Sequence, residues 1–237
     1  MRHIYLPFLF VLLFASCAKN RYITEETVAL TRTHEKVAVL PVDVFTTGRL
    51  PKNLSEAEIK EIELAESEYF QDIILASIQR NTRRGKTPYW VDFMSNQETT
   101  KLLKQQGISI EQSFELPPSQ LAKLLGVDAV VRADVKKTRY MSEEASAIIS
   151  VAQRAVWALS DGPVFGLPRI ATTTNDVDLR LDLVNAEDGV ALYHRNIDLS
   201  IDYRNTTDDA VERLSNKLGR FFPYKEHKLA KIKTYDR

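Results

Sequence analysis

The chain has 237 residues, of which 44% are hydrophobic and 27% are charged, as in an ordinary globular protein. Its 32 basic and 32 acidic side chains balance, so no net positive charge attracts it to nucleic acid, and we expect no nucleic-acid partner. This length provides one sizeable domain or two small ones.

The first residues have the pattern of an export signal. Arg2 and His3 precede an apolar run over residues 4–14, which is too short to span a bilayer as a helix but typical of a secretory signal. The following Phe14-Ala15-Ser16-Cys17 resembles the lipobox of bacterial lipoproteins, with Phe14 where leucine is usual. This resemblance implies that residues 1–16 are a signal peptide and that Cys17 carries a diacylglycerol and an N-acyl chain. The alternative is an ordinary cleaved signal with a chance cysteine.

Cys17 is the only cysteine, so it forms no internal disulfide, and lipidation gives this thiol a role in an exported protein. Ala18 rather than aspartate follows it, which by resemblance to known lipoproteins implies an outer-membrane location, facing the periplasm of a Gram-negative bacterium. Residues 17–35 are polar and lack apolar periodicity, so we predict a lipidated tether.

Residues 36–222 are predicted to form a single α/β domain. Residues 37–42 are an apolar run typical of a strand buried on both faces, which Pro41 ends, and residues 46–51 are predicted to be a loop. Ser55 and Glu58 have capping-box spacing and open a long helix that ends within residues 80–86. The stripe predicted to lie on the sheet consists of Ile62, Ala65, Tyr69, Phe70, Ile73, Ile74 and Ile78, with Gln71 placed away from it.

The middle of the chain alternates strands and helices. Residues 89–94 are predicted to be a strand, and two short helices follow at 97–106 and 118–125, the second closed at Gly126. A third strand continues to Val135. Alternation of this kind favours an α/β sheet.

A long antiparallel hairpin is the clearest pattern. Its first strand alternates Val177, Leu179, Leu181 and Leu183 with polar residues, and its turn is at residues 185–189. The second strand places Tyr193, Ile197, Leu199, Ile201 and Tyr203 on one side and His194, Asn196, Asp198, Ser200 and Asp202 on the other. A final helix bearing Ala210, Val211, Leu214 and Leu218 is predicted to cover the apolar face. The expected architecture is a mixed sheet of about five strands packed by amphipathic helices.

These elements carry a resemblance over about residues 36–222. The Val-Ala-Val-Leu-Pro opening at Val37, the long helix, the Leu-Gly-Val-Asp-Ala-Val-Val segment at Leu125 and the terminal hairpin are similar to the curli production assembly/transport lipoprotein family. The amino-terminal domain of TolB shares that architecture. The resemblance implies a periplasmic domain and, as one option, a subunit of an oligomeric export pore.

Residues 141–170 are predicted to be an apolar helical insertion. A helix packed on its own sheet is one interpretation, and a surface for a partner, a sister subunit or the membrane is the other. The candidate interface residues are Ile148, Ile149, Val156, Trp157 and Phe165. Residues 223–237 are predicted to be an exposed basic tail.

No catalytic or metal-binding pattern is present. The four histidines stand far apart, and no phosphate-binding loop or nucleophile motif occurs, so we expect no enzyme, no cofactor and no metal. Asp176, Asp178, Asp182, Asp198 and Asp202 on the hairpin leave a cell-wall glycan hydrolase as the least favoured alternative. The leading hypothesis is an outer-membrane-anchored lipoprotein that binds an envelope protein partner in assembly or secretion, and the second is a homo-oligomeric export pore.

Overall fold

The structure, a computed structural model, describes residues 21–23, 25–50, 54–83, 91–140, 173–202, 206–220 and 222–224. The described residues form one mixed sheet of seven strands, which is two more than the roughly five predicted. The predicted α/β class is confirmed. The strands are β1 (Arg21–Ile23), β2 (Lys36–Val39), β3 (Asp43–Gly48), β4 (Asp92–Phe93), β5 (Ala129–Arg139), β6 (Thr173–Asn185) and β7 (Ala191–Asp202).

The strand order is β1-β7-β6-β5-β2-β4, and β3 also pairs with β5. Strands β2 and β3 lie parallel to β5, one after the other along its length, and β4 lies parallel to β2. The neighbours from β5 through β6 and β7 to β1 are antiparallel. The predicted hairpin is therefore confirmed as β6 and β7.

The strand over residues 37–42 ends where Pro41 predicts, because β2 stops at Val39. The expectation of a loop over residues 46–51 was wrong for residues 46–48, since β3 runs to Gly48 and pairs with Asp134 to Arg139 of β5. The available edge of β5 supplies hydrogen-bond partners that the sequence alone does not reveal.

Six helices are described: α1 (Glu25–Thr31), α2 (Glu56–Arg83), α3 (Asn96–Gln105), α4 (Ile110–Glu115), α5 (Pro118–Leu125) and α6 (Thr207–Gly219). The capping box that opens α2 is confirmed, because the Ser55 amide donates to Glu58 Oε2 at 2.8 Å and the Glu58 amide donates to Ser55 Oγ at 3.3 Å. Gly126 ends α5 with φ +66°, as predicted.

The helices form two layers. Helices α2 and α6 pack on one face of the sheet, in a core that includes Phe70, Ile74, Val131, Leu181 and Val211. Helices α3 to α5 pack on the other face through Leu103, Leu121 and Leu125, against Leu40, Val130 and Val184. The second layer reaches only the part of the sheet near the start of β5.

The predicted apolar stripe of α2 divides in two. Phe70, Ile74 and Ile78 are buried, whereas Ile62 and Tyr69 are exposed by 43% and 49%. Gln71, predicted to point away, is fully buried, and its Nε2 donates to the Val39 carbonyl at 2.7 Å. The carbonyls of Glu35 and Val37 face β4, and so does that of Val39, but β4 ends at Phe93 and leaves the Val39 carbonyl without a strand partner. A helix side chain supplies the missing hydrogen bond.

The tether expected over residues 17–35 is part of the packed domain from Arg21 onwards. β1 pairs with Tyr193 to Arg195 of β7, and Thr27 Oγ1 donates to the Leu192 carbonyl at 2.6 Å. At the other end, Tyr224, expected in the tail, is fully buried, and its hydroxyl lies 2.7 Å from Nδ1 of the buried His34. The edge of β7 supplies hydrogen-bond partners for β1, and the core supplies a buried position for Tyr224. No local sequence pattern indicates either contact.

Several predictions fall outside the described residues. These include the signal peptide and Cys17, the insertion at 141–170 with its five interface residues, and residues 225–237. Among the helices that are described, none has the length and apolar character needed to cross a membrane.

Candidate functional site: the polar face of the sheet

The site is the part of the sheet that α3 to α5 leave uncovered among the described residues. On the side of β5 that faces these helices, Val130 packs in their core, but Arg132, Asp134 and Lys136 follow it. The same change occurs on β6, where Val184 gives way to polar residues. We call this surface the polar face; its charged residues are Asp43, Arg132, Asp134, Lys136, Asp176, Asp178, Arg180, Asp182 and Asp198, with His194 among them.

Arg132 marks the boundary between the polar face and the helices. Its guanidinium donates to the carbonyl oxygens of Phe114 and Ser113, both at 2.7 Å, and of Leu116 at 3.0 Å. These carbonyls end α4, where helix carbonyls lack partners within the helix. One side chain of the sheet therefore fixes the short helix α4 in place.

Two carboxyl groups face each other at the same boundary. Asp43 of β3 pairs in register with Asp134 of β5, so their side chains leave the sheet next to each other. Burial raises the pKa of Asp134 above its ordinary value, and Arg180 partly opposes this effect. Burial also raises the pKa of Asp43, which Lys60 partly opposes. Adjacent like charges that lose hydration reduce stability, so this pair has a cost to the fold.

Arg180, Asp182 and His194 form a second group on β6 and β7. Arg180 Nε lies 3.0 Å from Asp182 Oδ2 and 4.0 Å from Asp134 Oδ2. Nδ1 of His194 lies 2.5 Å from Asp182 Oδ1, because the two residues face each other across the strands. The Asp182 carboxylate thus holds a guanidinium and an imidazole in fixed positions.

The far end of the polar face is acidic. Asp178 pairs in register with Asp198, and burial together with the Asp198 charge raises the pKa of Asp178. The Tyr140 hydroxyl donates to Asp176 Oδ2 at 2.8 Å, and this hydrogen bond raises the pKa of Tyr140. Counted over the whole polar face, six carboxylates stand against three cationic side chains, which favours a partner with basic groups.

Four hairpin acids of the hydrolase hypothesis, Asp176, Asp178, Asp182 and Asp198, lie on the polar face, but they have different neighbours. Asp182 contacts Arg180 and His194, whereas Asp178 faces Asp198. Within the described ranges, no group of three or more His, Cys, Asp or Glu residues is placed to hold a metal ion. The arrangement is suited to binding through ion pairs and hydrogen bonds.

Sequence reasoning missed four charged residues of this site, which are Asp43, Arg132, Asp134 and Lys136. Asp43 follows an apolar run and joins the polar face only through the pairing of β3 with β5. Arg132 and Asp134 stand as isolated charges within the apolar run of the third predicted strand. That change from continuous to alternating apolar residues was the available signal, since it marks where one face of a strand becomes uncovered.

No protein-family model matches the sequence, and no curated protein sequence matches it. Among solved structures, lipoprotein GNA1162 from Neisseria meningitidis is 13% identical with a TM-score of 0.37, covering 77% of this chain and 92% of its own. The LpoB C-terminal domain from Salmonella enterica is 14% identical with a TM-score of 0.34, covering 82% and 94%. A PelC dodecamer from Paraburkholderia phytofirmans is 10% identical with a TM-score of 0.35, covering 78% and 86%. Similarity at this level carries no argument about what the present chain does.

Proposed function

We propose that the protein is a non-catalytic lipoprotein, anchored in the outer membrane by acylated Cys17 and facing the periplasm. Its role is to bind a protein partner in envelope assembly or secretion, and the polar face is the binding surface. The export signal and the Phe14-Ala15-Ser16-Cys17 motif support the anchor. The acyl chains would hold the protein at the membrane, because each buried methylene contributes about 0.8 kcal/mol.

The observation that carries the binding role is the Asp43 and Asp134 pair. Burial raises the pKa of both carboxyl groups, so each ionised group has a cost to stability at neutral pH. Functional surfaces commonly retain groups that reduce stability, whereas a purely structural surface gains nothing from them. A partner that places a basic group between these carboxylates would remove the repulsion, and binding would recover the cost.

The acidic excess on the polar face defines the complementary partner. A surface with lysine or arginine side chains opposite Asp178 and Asp198 would form ion pairs that fix its register. Arg180 and Lys136 would take carboxylates or carbonyl oxygens of the same partner. Alternating charges of this kind provide specificity more than affinity.

Site-specific photo-crosslinking in cells that carry the anchored protein tests the proposal. The crosslinker replaces Asn196, which is exposed on β7 opposite Arg180 of the polar face, and in a matched control it replaces Gln105, which is exposed on α3. We expect an adduct of one defined mass from position 196 alone, and we expect Asp198→Lys to reduce it severalfold. Equal labelling from both positions, or none from position 196, would overturn the binding role.

Two further readings separate the parts of the proposal. An adduct of twice the mass of the chain would identify a second copy as the partner, as the export-pore alternative requires. The anchor is tested by the mass of the amino-terminal peptide, which should include acyl chains in the natural protein and lack them after Cys17→Ser. An unmodified peptide from the natural protein would refute the anchor without affecting the crosslinking result.

A further inference from the structure

A groove with an apolar floor lies on the opposite side of the molecule from the polar face. It has a volume of about 510 Å³ and runs between α2 and the first turns of α6. Tyr69, Ile73 and Ala76 form its floor, four and three residues apart along α2, so they project from one side of that helix. Ile73 packs partly against the core, whereas Tyr69 is 49% exposed.

The rim of the groove is acidic. Four carboxylates line it, from Asp72 on α2 and from Asp208, Asp209 and Glu212 on α6, against the single cation Arg80. Arg80 is already paired, because its guanidinium donates to Glu212 at 2.9 Å. Asp209 accepts the Thr206 amide in the capping box of α6, and this hydrogen bond lowers the pKa of its carboxyl group. An apolar floor between acidic walls is complementary to a segment that is both basic and partly apolar.

Residues 225–237 have that composition. This segment carries five basic and two acidic residues, although the chain as a whole has no net charge. Its larger apolar residues, Leu229, Ile232 and Tyr235, recur every three positions among the basic residues. The function proposed above makes no use of either the segment or the groove.

The chain connection places the groove within reach of this segment. Tyr224 is held in the core beside His34, so residue 225 starts from a fixed point. Between Glu212 and Tyr224 the chain consists of the last part of α6 and five further residues. At about 1.5 Å per helical residue and about 3.5 Å per extended residue, Glu212 and Tyr224 are at most about 28 Å apart. Thirteen extended residues span about 43 Å.

We propose that residues 225–237 fold back and bind in the groove between α2 and α6, with their lysines against the acidic rim and their apolar side chains on Tyr69 and Ile73. Attachment to the same chain favours this occupant over a free basic peptide, because a short connection gives an effective concentration of the order of millimolar. The bound segment would cover the part of α2 that the sheet leaves exposed.

Proteolysis of the full chain tests the proposal in the protein as it exists. We expect trypsin to cut at Lys228, Lys231 and Lys233 about tenfold more slowly than in a Tyr69→Asp variant, because the variant places a charge on the apolar floor. The matched control is Ile62→Asp, which alters an equally exposed residue of the same helix outside the groove. Equal cleavage in all three proteins, or faster cleavage in both variants, would overturn the proposal.

Binding in trans provides the second measurement. A synthetic peptide of residues 225–237 is added to a chain that ends at Tyr224, which keeps every described residue, and circular dichroism confirms that this chain is folded. We expect binding that weakens with salt and falls about tenfold on Asp208→Asn and on Tyr69→Asp, but not on Ile62→Asp. No binding to the folded chain, or binding that is indifferent to these changes, refutes the assignment. Slow cleavage that depends on protein concentration would place the segment on a second copy and also refute it.

Discussion

Replacement of Arg132 by methionine is expected to separate α4 from the sheet and to lower stability by about 2–4 kcal/mol. The side chain donates three hydrogen bonds, to the carbonyls of Ser113 and Phe114 at 2.7 Å and of Leu116 at 3.0 Å. A hydrogen bond to a charged group contributes about 1.5–3 kcal/mol net, and three bonds from one guanidinium contribute less than their sum, because removing the half-buried charge recovers part of its dehydration cost.

Urea unfolding measures this effect. With a slope of about 2 kcal/mol per molar urea, a loss of 3 kcal/mol lowers the midpoint by about 1.5 M. The control is Lys136→Met on the same face of the same strand, where the side chain is exposed and the change should stay within about 0.5 kcal/mol. Amide exchange in α4 (Ile110–Glu115) should accelerate only in the Arg132 variant.

A midpoint for Arg132→Met equal to that of Lys136→Met, with unchanged exchange in α4, would refute the reasoning. It would mean that α4 is held by its own capping box and by Ser113 packing alone. Arg132→Lys provides a further check, since a lysine ammonium cannot donate to three separated carbonyls in the geometry of a planar guanidinium.

Three further outcomes are expected. Asp134→Asn should raise the thermal midpoint at pH 7, with a gain of about 0.2–1 kcal/mol in the free energy of unfolding. Because burial raises the pKa of Asp134 in the folded state, this gain should shrink as the pH falls from that raised pKa to the ordinary value. A lower midpoint at pH 7 would contradict this. Burial lowers the pKa of His34, so the contribution of this residue to stability is complete above pH 6.5 and is lost as the pH falls below that value. His34→Gln should therefore flatten the pH dependence of the urea midpoint. An unchanged slope would count against burial of a neutral ring. Gly48→Ala should cost more than Gly126→Ala in thermal unfolding, because both have positive φ but only at Gly48 would a Cβ meet the Arg139 carbonyl oxygen at 2.3 Å; equal losses would disprove that contact.

The elements whose cause is local were predictable. The alternation from Val177 to Leu183 could only be a strand with one buried face, and the turn at residues 185–189 fixed the pairing of β6 with β7. The capping residues Ser55 and Gly126 marked helix boundaries because each satisfies backbone groups within a few positions. Helix α4, only six residues long, has a capping box at Ser109 and Gln112 that the same reasoning could have found.

The composition of the polar face was also partly in the sequence, since the outward residues of β6 and β7 follow directly from a period of two. Which part of that face stays uncovered was not. The uncovered area depends on how far α3 to α5 extend over the sheet. These helices pack against Val130 and Val184, and the hydrogen bonds from Arg132 hold α4 at the edge of the uncovered area.

The sequence by itself determined the strand periodicity of the hairpin and most helix boundaries, because these depend on neighbours within a few residues. Only the tertiary structure decided that Gln71 donates a hydrogen bond to the last carbonyl of β2 and that β1 continues the sheet beyond β7. It also decided that His34 contacts Tyr224, which is 190 positions away in the sequence. In each case a polar side chain or a short strand contacts a backbone group or a ring that is distant in the sequence. Their physical cause is the need to satisfy and cover buried groups, which exists only after the rest of the chain has packed.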